Sequence, residues 1–229
     1  MPRLVTVDGP AGSGKSSLGL RLATRLRLPF IDTGLFYRAV AVKVSRTGPG
    51  QPGTDRMVEG ARAARIELET DPVQLELGPK VSLDGVPLRD AELYDPQILP
   101  VLARVSGSPA VRDALLERQR ALGLRGAVAA GRDCGTVVFP DAALKIYLDA
   151  PEAVRSERRA AQLLAGGRAV DADMLASEIG DRDRADSTRA AAPLQPAHDA
   201  HIIDTRDLGI NEIVEEVLAL CADRGLLPA

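Results

Sequence analysis

The 229-residue chain predicts an α/β fold in which helices cover a parallel sheet. Short apolar runs alternate along it with longer stretches whose apolar residues recur at helical spacing. The first apolar run passes through a glycine-rich turn straight into such a helical stretch. Around residues 66–88 the apolar period shortens to two about a strong turn signal, which marks a small antiparallel sheet inserted in the main one.

The elements follow in order. Leu4-Val5-Thr6-Val7 reads as a short buried strand that Gly9, Gly12 and Gly14 break, and a helix over 16–26 then carries Leu18, Leu22 and Leu26 on one face. Phe30-Ile31 forms a second strand ending at Asp32, after which Thr33 is placed to cap a helix bearing Tyr37, Val40 and Val44. Glycine and proline make 47–53 a loop. In the insert Ile66 and Leu68, then Val73, Leu75 and Leu77, then Val81 and Leu83 alternate as strands, with Asp84-Gly85 as the turn. A charged amphipathic helix returns over 109–122, and the apolar runs 127–130 and 144–148 resume the parallel sheet. Pro151 takes a first helical position and opens a helix through Arg155, Arg158 and Arg159. From there to Arg189 the chain is highly charged, with Gly166-Gly167 inside, and is read as lying outside the core. Ile202-Ile203-Asp204 is a last strand and 210–220 a closing helix, with no repeat period anywhere.

Composition narrows the function classes. With 29 Lys plus Arg against 32 Asp plus Glu, the net charge is −3, so no general field draws nucleic acid or an anionic membrane and anion binding must be local. Cys134 and Cys221 sit far apart without ligand spacing, which argues against a disulfide framework or a structural zinc site. His198 and His201 lack a third metal ligand nearby in sequence. No signal-type apolar segment or membrane-length apolar run is present, so the expected location is the cytoplasm. Arginines greatly outnumber lysines, and an arginine is most simply a solvated surface charge unless its position argues otherwise.

Gly9-Pro10-Ala11-Gly12-Ser13-Gly14-Lys15-Ser16 satisfies G-x-x-x-x-G-K-[ST] between a strand and a helix. Glycines let the backbone curl so that several N–H groups point at one anion, and the helix amino terminus adds partial positive charge. Lys15 supplies a full charge to the β- and γ-phosphates, and the Ser16 hydroxyl is placed to ligate Mg²⁺. Residues Gly9, Pro10, Ala11, Gly12, Ser13, Gly14, Lys15, Ser16 and Ser17 are therefore the expected nucleotide-phosphate site. ATPases, GTPases and small-molecule kinases all use such a loop.

Three further segments narrow this: Asp32-Thr33-Gly34-Leu35-Phe36-Tyr37-Arg38, Gly131-Arg132-Asp133-Cys134-Gly135-Thr136-Val137-Val138-Phe139-Pro140-Asp141-Ala142, and the stretch from Arg182-Asp183-Arg184 through Asp186 and Arg189 to Leu194. In this order, with the glycine loop, the inserted sheet and the terminal Ile202-Ile203-Asp204, the chain resembles the bacterial cytidylate kinases along nearly its whole length. The resemblance implies a P-loop NTPase fold with a helix-covered parallel sheet, a small antiparallel sheet in the monophosphate-binding region and a mobile helical lid. It implies one kinase domain over 1–229, with the core at 1–45, 107–154 and 190–229, the insert at about 46–106 and the lid at about 155–189. The implied reaction is direct in-line transfer of the γ-phosphoryl group of ATP, with Mg²⁺, to CMP or dCMP.

The same resemblance assigns Thr33, Tyr37 and Arg38 to the monophosphate site, with Arg38 on the acceptor phosphate. Lys15, Arg132, Arg182 and Arg189 are implied on the migrating phosphoryl, and Arg182, Asp186 and Arg189 on ribose and phosphate. Arg112 and Asp133 are the implied readers of cytosine, whose N4 amino donor suits a carboxylate and whose ring acceptors suit an arginine; uracil reverses that pattern. Asp183 and Asp186 could instead form a metal pair, a role the resemblance disfavours for Asp186.

Two departures stand out. Ala103 replaces a serine common near the base, with Ser106 the nearest hydroxyl, and Tyr94 replaces an arginine in the Leu93-Tyr94-Asp95-Pro96-Gln97-Ile98 segment. Cys134, at a spot usually apolar, reads as a small buried residue. The expected partners are CMP, dCMP and ATP, with no nucleic acid and no membrane, and the expected state is a monomer. A kinase for another monophosphate such as UMP stays open through Ala103. A regulator that holds ATP without transferring it is weighed down by the second set of phosphate-directed arginines.

Overall fold

The structure, a computed structural model, describes residues 3–48, 50–75, 80–165, 167 and 169–228. Its main sheet holds β1 (Leu4–Asp8), β2 (Phe30–Asp32), β6 (Ala127–Gly131), β7 (Leu144–Asp149) and β8 (His201–Asp204) in the order β2-β6-β1-β7-β8, all parallel. β1 is buried along its whole length, Thr6 and Asp8 included, because both faces of the sheet are covered there. Val7 pairs in register with Ala130 on one side and with Ile146 on the other. The chain proceeds from β1 to β2 on one flank and from β6 to β7 on the other. The carboxyl ends of β1 and β6 therefore meet at a switch in strand order, where open α/β sheets bind ligands.

Helix α1 (Lys15–Leu26) packs Leu18, Leu22 and Leu26 onto Val5 and Val7, and α9 (Ile210–Asp223) adds Ile213 and Val217 to the same core. A second core belongs to the insert. There α2 (Gly34–Arg46) buries Phe36, Val40 and Val44 against Met57 of α3 (Thr54–Ala63), Leu93 of α4 (Asp90–Leu93), Val105 of α5 (Leu99–Gly107) and Leu115 of α6 (Pro109–Gly123). The periodicity did not disclose α3, α4 and α5. α3 has few large apolar residues, α4 is a single turn, and α5 starts beside a proline with no polar stripe to define its face.

The small antiparallel sheet joins β3 (Ile66–Leu68), β4 (Val81–Leu83) and β5 (Val86–Pro87), and Ile66 pairs with Leu83. Asp84 and Gly85 have φ of 55° and 81°, the two positive values that a tight hairpin turn requires. Over its described residues, 73–75, the strand expected at 73–77 does not form. Residues 72–75 turn instead, the Thr70 carbonyl accepts from the Phe30 amide at 2.8 Å, and Leu75 joins the main core; Leu77 lies outside the described residues. Tertiary burial beside β2 overrides the alternating pattern.

Two local expectations also change. Thr33 precedes α2 without capping it: its hydroxyl donates to the Ala130 carbonyl at 3.0 Å, and Asp32 accepts from the Gly34 amide at 3.0 Å instead. Pro151 stands one place outside α7 (Glu152–Ala165). The charged stretch forms α7 and α8 (Ala172–Thr188), which pack on each other, and it is not wholly exterior: Arg155, Ser156, Ile179 and Asp186 are buried.

Candidate active site

The glycine loop leaves the carboxyl end of β1 and enters α1 at Lys15. Gly12 has φ of +74° and its missing Cβ would lie 2.7 Å from the Arg155 carbonyl, so both its conformation and its contact demand glycine. Gly9, at φ +147°, abuts the Leu148 carbonyl in the same way, and Gly14 is the N-cap of α1. Ser13 is buried under the loop. The Lys15 ammonium folds back to donate to the Pro10 carbonyl at 2.5 Å, with the Ser13 hydroxyl 3.4 Å away. Ser16 and Ser17 are exposed on the first turn, and the Ser16 hydroxyl donates to Asp32 at 2.9 Å. Asp32 arrives from the end of β2, so two strand ends place a hydroxyl and a carboxylate side by side.

Opposite this loop lie the arginines. Arg38 on α2 donates to the Leu93 carbonyl at 2.7 Å. Arg132 leaves the end of β6 and reaches α8, bonding Asp183 at 2.8 Å and pairing with Asp186 at 3.1 Å. Asp183 also accepts from the Ala11 amide at 2.9 Å and from Arg155, whose guanidinium donates in turn to the Ala11 carbonyl at 2.8 Å. Arg189 pairs with Asp186 at 3.0 Å and lies 3.9 Å from Asp133, and Arg182 stands 3.9 Å from Asp186 at the mouth of the cleft. Arginines thus engage both α8 carboxylates, an arrangement unlike the metal pair that Asp183 and Asp186 could have made.

Beyond Arg189, Arg112 and Asp133 form a buried ion pair, the side chains 8% and 5% exposed. Arg112 donates to the Ser106 carbonyl at 3.0 Å and its guanidinium carbon lies 5.0 Å from the Tyr37 ring centre. With Gln119, Ala191 and Ala192, these residues line a narrow cavity of about 100 Å³. Residues 5–223 match the family model described as Cytidylate kinase.

The chain belongs to the cytidylate kinase family. It is 41% identical over 219 residues to a cytidylate kinase of Corynebacterium efficiens, covering 95% of this chain and 93% of that protein. A cytidylate kinase of Pelotomaculum thermopropionicum is 42% identical over 219 residues, with 94% of each chain covered. One of Bordetella bronchiseptica is 41% identical over 218 residues, with coverage of 94% and 93%. As a member of this family the protein is a phosphotransferase built on a P-loop kinase fold.

The electrostatics suit a family that gathers anions. Burial, then the charges of Arg132 and Arg182, pushes the Lys15 ammonium down to about 7. Burial and the neighbouring Arg132 and Arg38 lower Arg182, and burial with Arg112 nearby lowers Arg189. Both stay cationic, since a guanidinium does not deprotonate in proteins. Burial is the larger cause in each case, and the neighbouring guanidinium charges add to it. Burial pushes the Cys134 thiol well up, and it lies 3.5 Å from the Thr33 hydroxyl, so it remains a protonated packing group. His198 and His201 pair with different carboxylates, Asp199 at 3.4 Å and Glu216 at 3.2 Å.

Four contributors escaped the sequence reading of this site. Asp8, raised to about 6 by burial, accepts from the Cys134 and Gly135 amides at 2.8 and 2.7 Å and so shapes the turn that presents Arg132 and Asp133. An acidic residue closing an apolar strand was its only signal. Asp32 is visible as the end of a strand but not as the partner of Ser16. Arg155 reads from sequence equally as a solvated charge or as one that neutralises the migrating phosphoryl group; it is 8% exposed and bonds the Ala11 carbonyl of the glycine loop. Gln119, fully buried, lines the same cavity as Tyr37 and donates to the Thr33 carbonyl at 3.5 Å.

Proposed function

We infer that the protein transfers the γ-phosphoryl group of ATP to CMP and dCMP by direct in-line displacement. One observation carries the reading: Arg132 and Arg189, with Asp183 and Asp186, bridge the glycine loop on one side and the buried Arg112–Asp133 pair on the other, a layout that suits two nucleotides whose phosphate ends meet among the arginines. In this reading the loop amides of Gly9, Pro10, Ala11, Gly12, Ser13, Gly14, Lys15, Ser16 and Ser17 hold the ATP phosphates, less Pro10, which has no N–H and offers only its carbonyl. Lys15 leaves the Pro10 carbonyl for the β- and γ-phosphates. Ser16 and Asp32 are neighbouring hard oxygen donors, the kind a Mg²⁺ ion takes, and they would hold it beside the loop, where it supplies charge neutralisation to the phosphates.

Arg38 takes the acceptor phosphate with Arg132, while Arg132, Arg182 and Arg189 offset charge on the migrating group. Asp133 accepts from the cytosine N4 amino group and Arg112 donates to the ring acceptors; Thr33 and Tyr37 wall the base and Asp186 with Arg189 meets the ribose. Ala103 is exposed, and the Ser106 hydroxyl donates back to the Ala103 carbonyl at 3.4 Å, so base selection rests on Arg112 and Asp133. A uracil O4 would face the Asp133 carboxylate, which disfavours UMP. An ATP consumption screen across CMP, dCMP, UMP, AMP and GMP tests the reading. CMP and dCMP are expected to be fastest; ATP binding without phosphorylation of any acceptor would favour the regulator.

The same reading divides the chain into a core (1–45, 107–154, 190–229), an insert (about 46–106) and a lid (about 155–189). It takes the protein as a cytoplasmic monomer acting on small nucleotides, neither nucleic acid nor membrane being a partner. Its charge of −3 supports this, and no described helix is long and apolar enough to cross a membrane. Two outcomes check the parts. Amides of α7 and α8 are expected to gain hydrogen-exchange protection when CMP and a non-hydrolysable ATP analogue are present together, and less with either alone. Unchanged high protection in the empty enzyme would remove the lid.

The second outcome concerns protons. With Lys15 near 7 in the empty enzyme, the amine is mostly neutral at pH 8, and bound phosphates raise its pKa. ATP binding is expected to take up close to one proton at pH 8 and almost none at pH 6, measured calorimetrically in buffers of different ionisation heat. Equal uptake at both values would contradict a lowered Lys15.

A further inference from the structure

Tyr94 ends the single turn of α4, whose Leu93 is fully buried in the insert core, so its backbone is anchored. The Leu93 carbonyl holds Arg38 Nη1 at 2.7 Å, and the Tyr94 ring takes the same guanidinium 4.4 Å from its centre. On the lid, Arg159 of α7 brings its guanidinium to 5.9 Å from the same ring. One aromatic ring therefore stands within cation–π range of an arginine from the insert and of another from the lid.

This arrangement has a physical consequence. Two guanidinium groups this close repel each other; each lowers the other's comfort in a half-buried place, and burial together with Arg159 and Arg132 lowers Arg38. The electron-rich ring offsets that repulsion and, together with the Leu93 carbonyl, limits the orientations open to the Arg38 fork. An arginine in place of Tyr94 would add a third cation to the group. We propose that Tyr94 is a positioning residue that holds Arg38 ready for the acceptor phosphate and clasps the lid through Arg159, coupling acceptor binding to lid closure. The inference rests on Arg38 being the acceptor-phosphate ligand.

The experiment compares Tyr94→Phe, Tyr94→Leu, Arg159→Met and Arg38→Met for CMP KM, ATP KM and kcat. It adds CMP affinity measured by calorimetry with and without a non-hydrolysable ATP analogue. Tyr94→Leu is expected to raise CMP KM roughly 5–20-fold with ATP KM and melting temperature nearly unchanged, and Tyr94→Phe, which keeps the ring, to restore CMP KM to within about twofold of wild type. Arg159→Met is expected to abolish the gain in CMP affinity that the ATP analogue confers. The proposal is overturned if Tyr94→Leu matches wild type, if Tyr94→Phe is as impaired as Tyr94→Leu, or if Arg159→Met leaves that gain intact. A loss shared equally by CMP and ATP with a lowered melting temperature also overturns it, since it would mark a merely structural residue. Arg38→Met separates the two levels: if it impairs CMP while Tyr94→Leu does not, the acceptor reading stands and the clasp falls. If Arg38→Met leaves CMP untouched, the acceptor reading fails and takes the clasp with it.

Discussion

Lys15→Ala is expected to lower kcat by on the order of 10²–10³-fold while the protein stays folded, the loss typical of removing one preorganised charge from a developing transition state. The fold tolerates the change because the ammonium packs no core. Its bonds are to the Pro10 carbonyl and the Ser13 hydroxyl at the loop itself. The loop shape rests on other supports: glycine conformations at 9, 12 and 14, the Ala11 amide on Asp183 and the Ala11 carbonyl under Arg155. Kinetics at saturating CMP and ATP, with a melting curve as control, decide it. Turnover near the wild-type value would remove Lys15 from the chemistry.

Arg112→Met is expected to have two separable effects. Losing charged hydrogen bonds to the base lowers kcat/KM for CMP by roughly 10–150-fold, equivalent to about 1.5–3 kcal/mol, with a smaller effect on ATP KM. The structure adds a second effect that residue chemistry alone did not suggest. Arg112 is the close buried partner of Asp133, so its removal leaves that carboxylate only the more distant Arg189 at 3.9 Å and destabilises the fold by about 3 kcal/mol. The double variant Arg112→Met/Asp133→Asn relieves the stranded charge, and its stability is expected to recover while CMP efficiency stays low. Urea unfolding and steady-state kinetics on the same three proteins separate folding from recognition. An equal loss with CMP and UMP would argue that Arg112 does not read the base.

How much of this was legible in the residues depends on range. The glycine loop could be read at once, because its requirement is local: positive φ and close backbone approach exclude side chains at neighbouring positions, and that leaves a compositional mark. The parallel strands were legible for a similar reason, since burial on both faces makes them short apolar runs. Residues 73–75 of the expected strand turn instead, because the same alternation can serve a turn in which Leu75 is claimed by a different core while Val73 is exposed.

The site shows the same division. Arg112 and Asp133 could be named from sequence, yet only the folded chain shows them neutralising each other in the empty cleft. Asp183 was open to a metal role; Arg132, Arg155 and the Ala11 amide claim it once α8 crosses the glycine loop. Arg155 stood even between a solvated charge and a phosphoryl contact on a charged helix, and neither reading placed its guanidinium on the Ala150 and Ala11 carbonyls beneath that loop.

By itself, then, the sequence determined the glycine loop and the strand-helix alternation, and it supplied the candidate residues for nucleotide contacts, because these depend on backbone conformation and on chemistry carried within a few neighbouring residues. Tertiary structure decided the pairing of charges: which arginine is buried, which carboxylate it faces and which ring stands between two of them. Those choices are set by desolvation and by distances between segments far apart in the chain, and ion-pair energies change so steeply with burial that no local pattern records them.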